Sequence, residues 1–250
     1  MSSPFSLRGK TVLVTGASSG IGRACAIEIS RAGAARCIIT GRRGDELART
    51  ASMADPACEM TTVVCDLTDQ EALEAMVASL PVIDGAVLNA GVNRMKTLQF
   101  CTVKDLDNIF GVNCFSPMLL VRQLLKKKRL ANPASLVFTG SISGNGNVSP
   151  GNCMYGASKA ALSAYMKYAA LELAPKGVRC NAIHPGRIET PLIHNGITGE
   201  EEIRQDMARY PLRRYGRPEE VAYAAIYLLS DATAWMTGSE LVIDGGRSLV

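Results

Sequence analysis

A doubly wound α/β fold, in which an open parallel sheet carries helices on both faces, is the architecture this sequence predicts, on three observations. Short runs rich in Val and Ile alternate with helix-length segments along the chain. The runs between Thr11 and His184 are apolar throughout instead of alternating, the pattern of strands covered on both faces. A glycine cluster follows the first run directly, at the carboxyl end of a strand, where open α/β sheets bind their ligands.

Taken in order, the apolar runs are Thr11–Thr15, Arg36–Thr40, Thr61–Asp66, Ala86–Leu88, Ser135–Thr139, Arg179–His184 and Glu240–Ile243, so seven strands are expected. Helices between them require parallel crossovers. Their ends carry capping signals: Asp69 before Gln70–Ser79, Pro218 at the start of Glu219–Leu229, and Gly177 after the long segment that ends at Lys176. A length of 250 residues with 47% apolar composition fills one large core, so a single domain over 1–250 is expected. There is no internal repeat, low-complexity tract or linker. Thr190–Leu212 interrupts the rhythm with the turn pairs Asn195-Gly196 and Thr198-Gly199 ahead of a helical Glu200–Ala208, and it reads as a substrate lid.

Composition excludes several classes. With 27 Lys and Arg against 23 Asp and Glu, the chain is only mildly basic, and a nucleic-acid partner is not expected. No stretch approaches the roughly eighteen apolar residues of a membrane span, and the first residues lack a secretory signal's pattern, so a soluble cytoplasmic protein is expected. The eight cysteines form no CxxC and do not pair with the two histidines, His184 and His194. Free, mostly buried thiols, with no metal and no disulfide framework, are the expected state.

The glycine cluster is Thr15-Gly16-Ala17-Ser18-Ser19-Gly20-Ile21-Gly22, leading into an apolar helix over Ile21–Ala32. Such a turn lets backbone approach a pyrophosphate whose charge the helix N-terminus stabilises, although GxxxGxG is not the common GxGxxG and a glycine turn can also serve no ligand. The second strand ends Thr40-Gly41-Arg42-Arg43, with Gly41 where an acid would bind a ribose 2′-hydroxyl. Arg42 offers a planar fork to a 2′-phosphate, so NADPH is the expected cofactor; a solvated basic pair opening a helix is the alternative.

In Tyr155-Gly156-Ala157-Ser158-Lys159 a phenol and an ammonium four residues apart share one helix face. A neighbouring cation favours phenolate, which suits a general acid that donates to a carbonyl oxygen. The pair is common by chance, but Ser141 stands fourteen residues earlier at the carboxyl end of the fifth strand, where its hydroxyl can reach a substrate carbonyl.

With these residues in place, the chain resembles the short-chain dehydrogenase/reductase family from about Leu7 to Gly246. The markers run in order: the loop Thr15–Gly22, Asp66-Leu67, Asn89-Ala90-Gly91, Asn113, Ser141, Tyr155 with Lys159, and Pro185-Gly186 followed by Ile188 and Thr190. Pro211-Leu212, Gly216 to Val221, Thr237-Gly238 and Asp244-Gly245-Gly246 continue the likeness. The resemblance implies a Rossmann-like fold with Tyr155 as proton donor, and Lys159 binding the nicotinamide ribose and lowering the Tyr155 pKa. Ser141 would orient the carbonyl, and Asn113 would hold a relay water. It also implies cofactor contacts from Gly16, Ser18, Ser19, Gly20, Ile21 and Gly22, and from Asp66 and Leu67 at the adenine. Asn89, Ala90 and Gly91 would line the adenosine side, while Pro185, Gly186, Ile188 and Thr190 would reach the carboxamide end.

Overall, the chain is similar to 3-oxoacyl-[acyl-carrier-protein] reductases, which implies a 3-oxoacyl thioester substrate; a carbonyl reductase, hydroxysteroid or sugar-alcohol dehydrogenase, or a non-catalytic NADPH-binding module, are the alternatives. An acidic carrier needs a basic landing surface, and Lys126-Lys127-Lys128-Arg129 with Lys176 are expected near the site's mouth, unless the lysine run merely complements a helix dipole. Leu88 stands where the family often has a second asparagine, so weaker support for that strand is expected. The apolar girth of the helix through Tyr165, Met166 and Leu171 suits either burial within one subunit or pairing between subunits, and the resemblance implies a homotetramer.

Overall fold

The computed structural model describes residues 3–190 and 199–250, so His194 and most of the first half of the expected lid lie outside the described residues. Seven strands pair in parallel in the order β3-β2-β1-β4-β5-β6-β7. They are β1 (Thr11–Thr15), β2 (Arg36–Gly41), β3 (Glu59–Val64), β4 (Ile83–Leu88), β5 (Leu130–Thr139), β6 (Val178–Pro185) and β7 (Glu240–Ile243). Eight α-helices are described: α1 (Gly20–Arg31), α2 (Gly44–Ser52), α3 (Gln70–Ser79), α4 (Val103–Phe110), α5 (Ser116–Lys126), α6 (Cys153–Leu173), α7 (Glu200–Met207) and α8 (Pro218–Leu229). None of them is long and apolar enough to cross a membrane.

The continuously apolar strands serve two cores at once because successive side chains point to opposite faces. Leu13 and Ile38 face a layer built with Leu73 and Val77 of α3, Leu120 and Leu124 of α5, and Leu162 and Met166 of α6. Their neighbours Val12, Val14, Cys37 and Ile39 face Ile29 of α1, Leu47 of α2, and Val221 and Leu228 of α8. The third strand departs from the expectation of two covered faces. It ends at Val64, which is exposed, and no residue along it is fully buried. As the sheet's edge it has a neighbour on one side only, and Met60 and Val63 reach opposite layers just at their margins.

The capping signals act as expected. The Asp69 carboxylate accepts from the N–H groups of Glu71 and Ala72, satisfying two donors that the first turn of α3 leaves free. Pro218 is the first residue of α8, and Gly177 sits at φ +70° immediately before β6.

Two expectations are corrected. The basic run closes α5 at the amino-terminal edge of the sheet, opposite the carboxyl ends of the strands: the Arg129 carbonyl accepts from the N–H of Ile83, the first residue of β4. Lys176 lies at the same edge, two residues before β6 starts, and Lys126 and Lys127 pair with Glu74 at 3.6 and 3.1 Å. Neither feature stands at the mouth, because α5 and α6 both run back along the sheet to its far end. Leu88 does not weaken β4 either; it is buried in the core, and the Thr15 hydroxyl ties the strand's end instead. Its Oγ accepts from the N–H groups of Asn89 at 2.9 Å and Ala90 at 3.0 Å.

Replacing Thr15 by Val keeps the shape and leaves those two N–H donors unpaired. Thr15→Val is expected to lower unfolding stability by about 1–3 kcal/mol, read as a lower denaturant midpoint at unchanged slope.

Candidate active site

All the expected site segments arrive at the carboxyl edge of the sheet, around the point where β1 and β4 lie side by side and their following connections diverge. After β1 the chain turns at Gly16, whose φ is +68° and where a Cβ would stand 2.8 Å from the Cα of Ala90. Only glycine permits that approach. Ser19 precedes α1 in an extended conformation and its side chain caps none of the helix's N–H groups. An uncapped helix start with unpaired N–H donors, beside small hydroxyl residues, fits the diphosphate of a dinucleotide.

The adenosine end is built by the segments after β2 and β3. Arg42 is largely exposed, 3.9 Å from a carboxylate oxygen of Asp66. The Asp66 carboxylate is held below its ordinary value, chiefly by hydrogen bonds from the backbone and hydroxyl of Thr68. Leu67 is buried beside it. Arg43, which no motif in the sequence singles out, reaches across the loop: its guanidinium donates to the hydroxyls of both Ser18 and Ser19 at 2.9 Å. Two guanidinium groups therefore stand beside the loop, and adjacency to Arg42 was the only signal for Arg43 in the sequence.

Beyond β4, Asn89 is drawn to β1 by its side-chain amide, which donates to the Thr15 carbonyl at 3.2 Å. Asn113 lies in a π-helical turn, Gly111–Phe115, that joins α4 to α5. Such turns widen a helix by one residue and recur at functional sites. The Asn113 side chain is fully buried and fully used, with Oδ1 accepting from the Val92 N–H at 2.8 Å and Nδ2 donating to the Val92 carbonyl and to Ser158 Oγ. It clamps the loop following Gly91 to the helix that carries Tyr155.

Ser141 follows β5, and Tyr155 and Lys159 stand in the first two turns of α6. The close approach of these elements depends on Gly156, where a Cβ would come within 2.8 Å of the Ser143 carbonyl oxygen. Lys159 is buried, and its ammonium donates to the Thr139 carbonyl at 2.7 Å. His184 sits at the end of β6, as expected of a strand-end residue, but it also contacts the site: Nδ1 lies 3.0 Å from the Ser141 carbonyl oxygen. Gly186 packs on Asp244, Ile188 bridges to Gly216, and the Thr190 methyl lies 3.1 Å from where a Cβ of Gly20 would be. The far end of the site thus closes back on the phosphate loop.

Burial governs both titratable groups. It pushes the Tyr155 phenol above its ordinary value, and the hydrogen bond with Ser141 draws it partly back. The expected depression by Lys159 is not what the geometry produces, because the ammonium lies 5.8 Å from the ring centroid and is directed at Thr139. Burial brings Lys159 itself down to about 8.

A lysine lowered in the folded state costs stability wherever both states are protonated, and that cost is relieved between the folded and unfolded pKa values. Lys159→Met is therefore expected to be more stable than the natural chain below about pH 8, with the margin narrowing as pH rises towards 10.5. Urea titrations across that range check it, and a margin independent of pH would show that burial of the ammonium is not the cause.

Residues 16–248 match a family profile described as "Enoyl-(Acyl carrier protein) reductase". The chain is 32% identical to the 3-oxoacyl-[acyl-carrier-protein] reductase FabG of Rickettsia bellii, with 98% of this chain and 99% of that protein covered. It is 30% identical to Dehydrogenase/reductase SDR family member 6 of Rattus norvegicus, over 97% of this chain and 99% of the relative. The solved structure of the Pseudomonas aeruginosa RhlG/NADP active-site complex superposes with a TM-score of 0.89 at 30% identity, covering 99% of both chains. A glycine turn against Ala90, a buried lysine one turn from a tyrosine, and a serine brought to that tyrosine are thus found in a chain whose whole length matches such relatives: it belongs to the short-chain dehydrogenase/reductase family of oxidoreductases.

Proposed function

We propose that this chain is an NADPH-dependent reductase that converts a carbonyl to a secondary alcohol, with a 3-oxoacyl thioester as its substrate. The observation that carries the reaction type is the convergence of Ser141, Tyr155 and Lys159 beside the phosphate loop. A bound nicotinamide dinucleotide supplies the hydride. Raised above its ordinary value, the Tyr155 phenol is protonated at neutral pH and has a proton to give to the carbonyl oxygen as charge develops there. The Ser141 hydroxyl donates a hydrogen bond to the same oxygen and sets its position. Lys159 presents an ammonium beside Gly91, where a ribose hydroxyl would lie, and Thr139 fixes its direction. The Asn113 side chain, held by Val92 and Ser158, fixes the π turn beside α6, from which Asn113 would hold a relay water.

Arg42 and Arg43 support NADPH over NADH, since Gly41 stands where an acid would otherwise bind a 2′-hydroxyl and two guanidinium groups follow it. The FabG relative supports the thioester. With the lysine run at the far edge of the sheet, an acidic carrier's landing surface falls to Arg209, Arg213 and Arg247. These three line a cavity of about 510 Å³ that includes Tyr210 and Pro211, beyond the ends of β6 and β7. Tyr168 and Leu171, exposed on the outer face of α6, supply the apolar surface that helix pairing in a homotetramer needs.

Addition of an acetoacetyl thioester is expected to consume NADPH rapidly and NADH slowly, and Tyr155→Phe to abolish consumption while leaving NADPH binding intact. Near-normal turnover of that variant would overturn the mechanism, and silence of the natural chain with thioesters but not with free ketones would move the substrate to another carbonyl class. Arg42→Ala combined with Arg43→Ala removes two charge-assisted contacts, so the NADPH KM should rise on the order of 10–100-fold with little change for NADH. Equal changes for both cofactors would refute the 2′-phosphate role.

A further inference from the structure

All eight cysteines are free thiols, and six of them are buried. The remaining two, Cys101 and Cys153, stand against each other at the rim of the site with their sulfurs 3.7 Å apart. They are separated by 52 residues in sequence, and the fold brings them together by bonds of other residues. The Lys96 N–H donates to the Gly151 carbonyl at 2.8 Å, and the Asn93 side-chain amide donates to that of Asn152 at 3.0 Å. The loop after β4 is thereby held to the start of α6, where Cys153 is the first helical residue and Tyr155 follows two residues later.

We propose that Cys101 and Cys153 are a site of reversible modification, closing to a disulfide by exchange with a low-molecular-weight disulfide and restraining the helical turn that carries Tyr155. Cys153 is exposed and reacts first: its thiolate attacks one sulfur of the small disulfide, a mixed disulfide forms, and one small thiol leaves with the proton that Cys153 gives up. Cys101 then attacks the Cys153 sulfur, the second small thiol leaves with the Cys101 proton, and the small disulfide has been reduced to two thiols. Cys101 suits this second step. It is half-buried, and burial with the neighbouring Cys153 pushes its thiol up, so it is the poorer first nucleophile. A disulfide holds its sulfurs about 2.0 Å apart, so closure requires the two to approach by about 1.7 Å. Whatever share of that movement the first turn of α6 takes up is carried towards Tyr155, and a shift of even 1 Å at a catalytic group can cost up to about 100-fold in rate.

The full chain is incubated with oxidised glutathione and digested without reduction. A peptide linking Cys101 to Cys153, absent after dithiothreitol and absent from Cys101→Ser and Cys153→Ser, is the expected result. Glutathione adducts without that linked peptide, or no reaction, would overturn the site. Thioester turnover of the linked chain is expected to fall about tenfold and to return on reduction, while Cys153→Ser, which lacks the first nucleophile, keeps its own rate in oxidised glutathione. Unchanged turnover in a fully linked chain would overturn the restraint on Tyr155. The linked peptide is read without substrate, so its failure and a failure of the substrate assignment are separate results.

Discussion

Parallel pairing of β1 with β4 is the constraint on which the rest of the site depends. The chain leaves β1 towards one face of the sheet and leaves β4 towards the other, which opens a crevice at their carboxyl ends. The Thr15 hydroxyl holds the two sides of that crevice together through the N–H groups of Asn89 and Ala90. Gly16 then lets the phosphate loop rest on Ala90 without a Cβ in the way. Binding and structure are not separable at this point, because the bonds that end the strands also shape the cradle.

The chemistry is held from the opposite side by α6. Its lysine is buried at an energetic cost that the fold tolerates, with one strong hydrogen bond to Thr139 in partial compensation. Stability given up at a functional group is common in active sites. The same burial raises the phenol of Tyr155, so its surroundings favour the protonated form, with Ser141 tempering the effect. Asn113 and His184 extend the support outward, one clamping Val92 to Ser158 and the other meeting the Ser141 carbonyl. Positions in this site are therefore set by the ends of four strands, the π turn and α6 acting on a few polar atoms.

Much of this was legible in the linear chain because it rests on local rules. Continuous apolar runs marked the strands, Asp69 and Pro218 marked helix starts, and the spacing of Tyr155 to Lys159 placed both on one face. Arg43 was not legible, since its contact with Ser18 and Ser19 spans 25 and 24 residues and requires β1 and β2 to be adjacent. The misplacement of the lysine run has a similar origin. Charge can be counted from residues, but which end of the sheet it occupies follows from the direction in which α5 runs.

By itself the sequence determined the fold class, the order of its elements and the glycine turn after β1, because periodicity, capping and short spacings act over a few residues. Tertiary structure decided which groups control one another. Burial raises the pKa of Tyr155 and lowers that of Lys159, and desolvation depends on everything packed around a group. It also decided that Cys101 meets Cys153, a contact between the loop after β4 and the start of α6 that only the assembled sheet brings together.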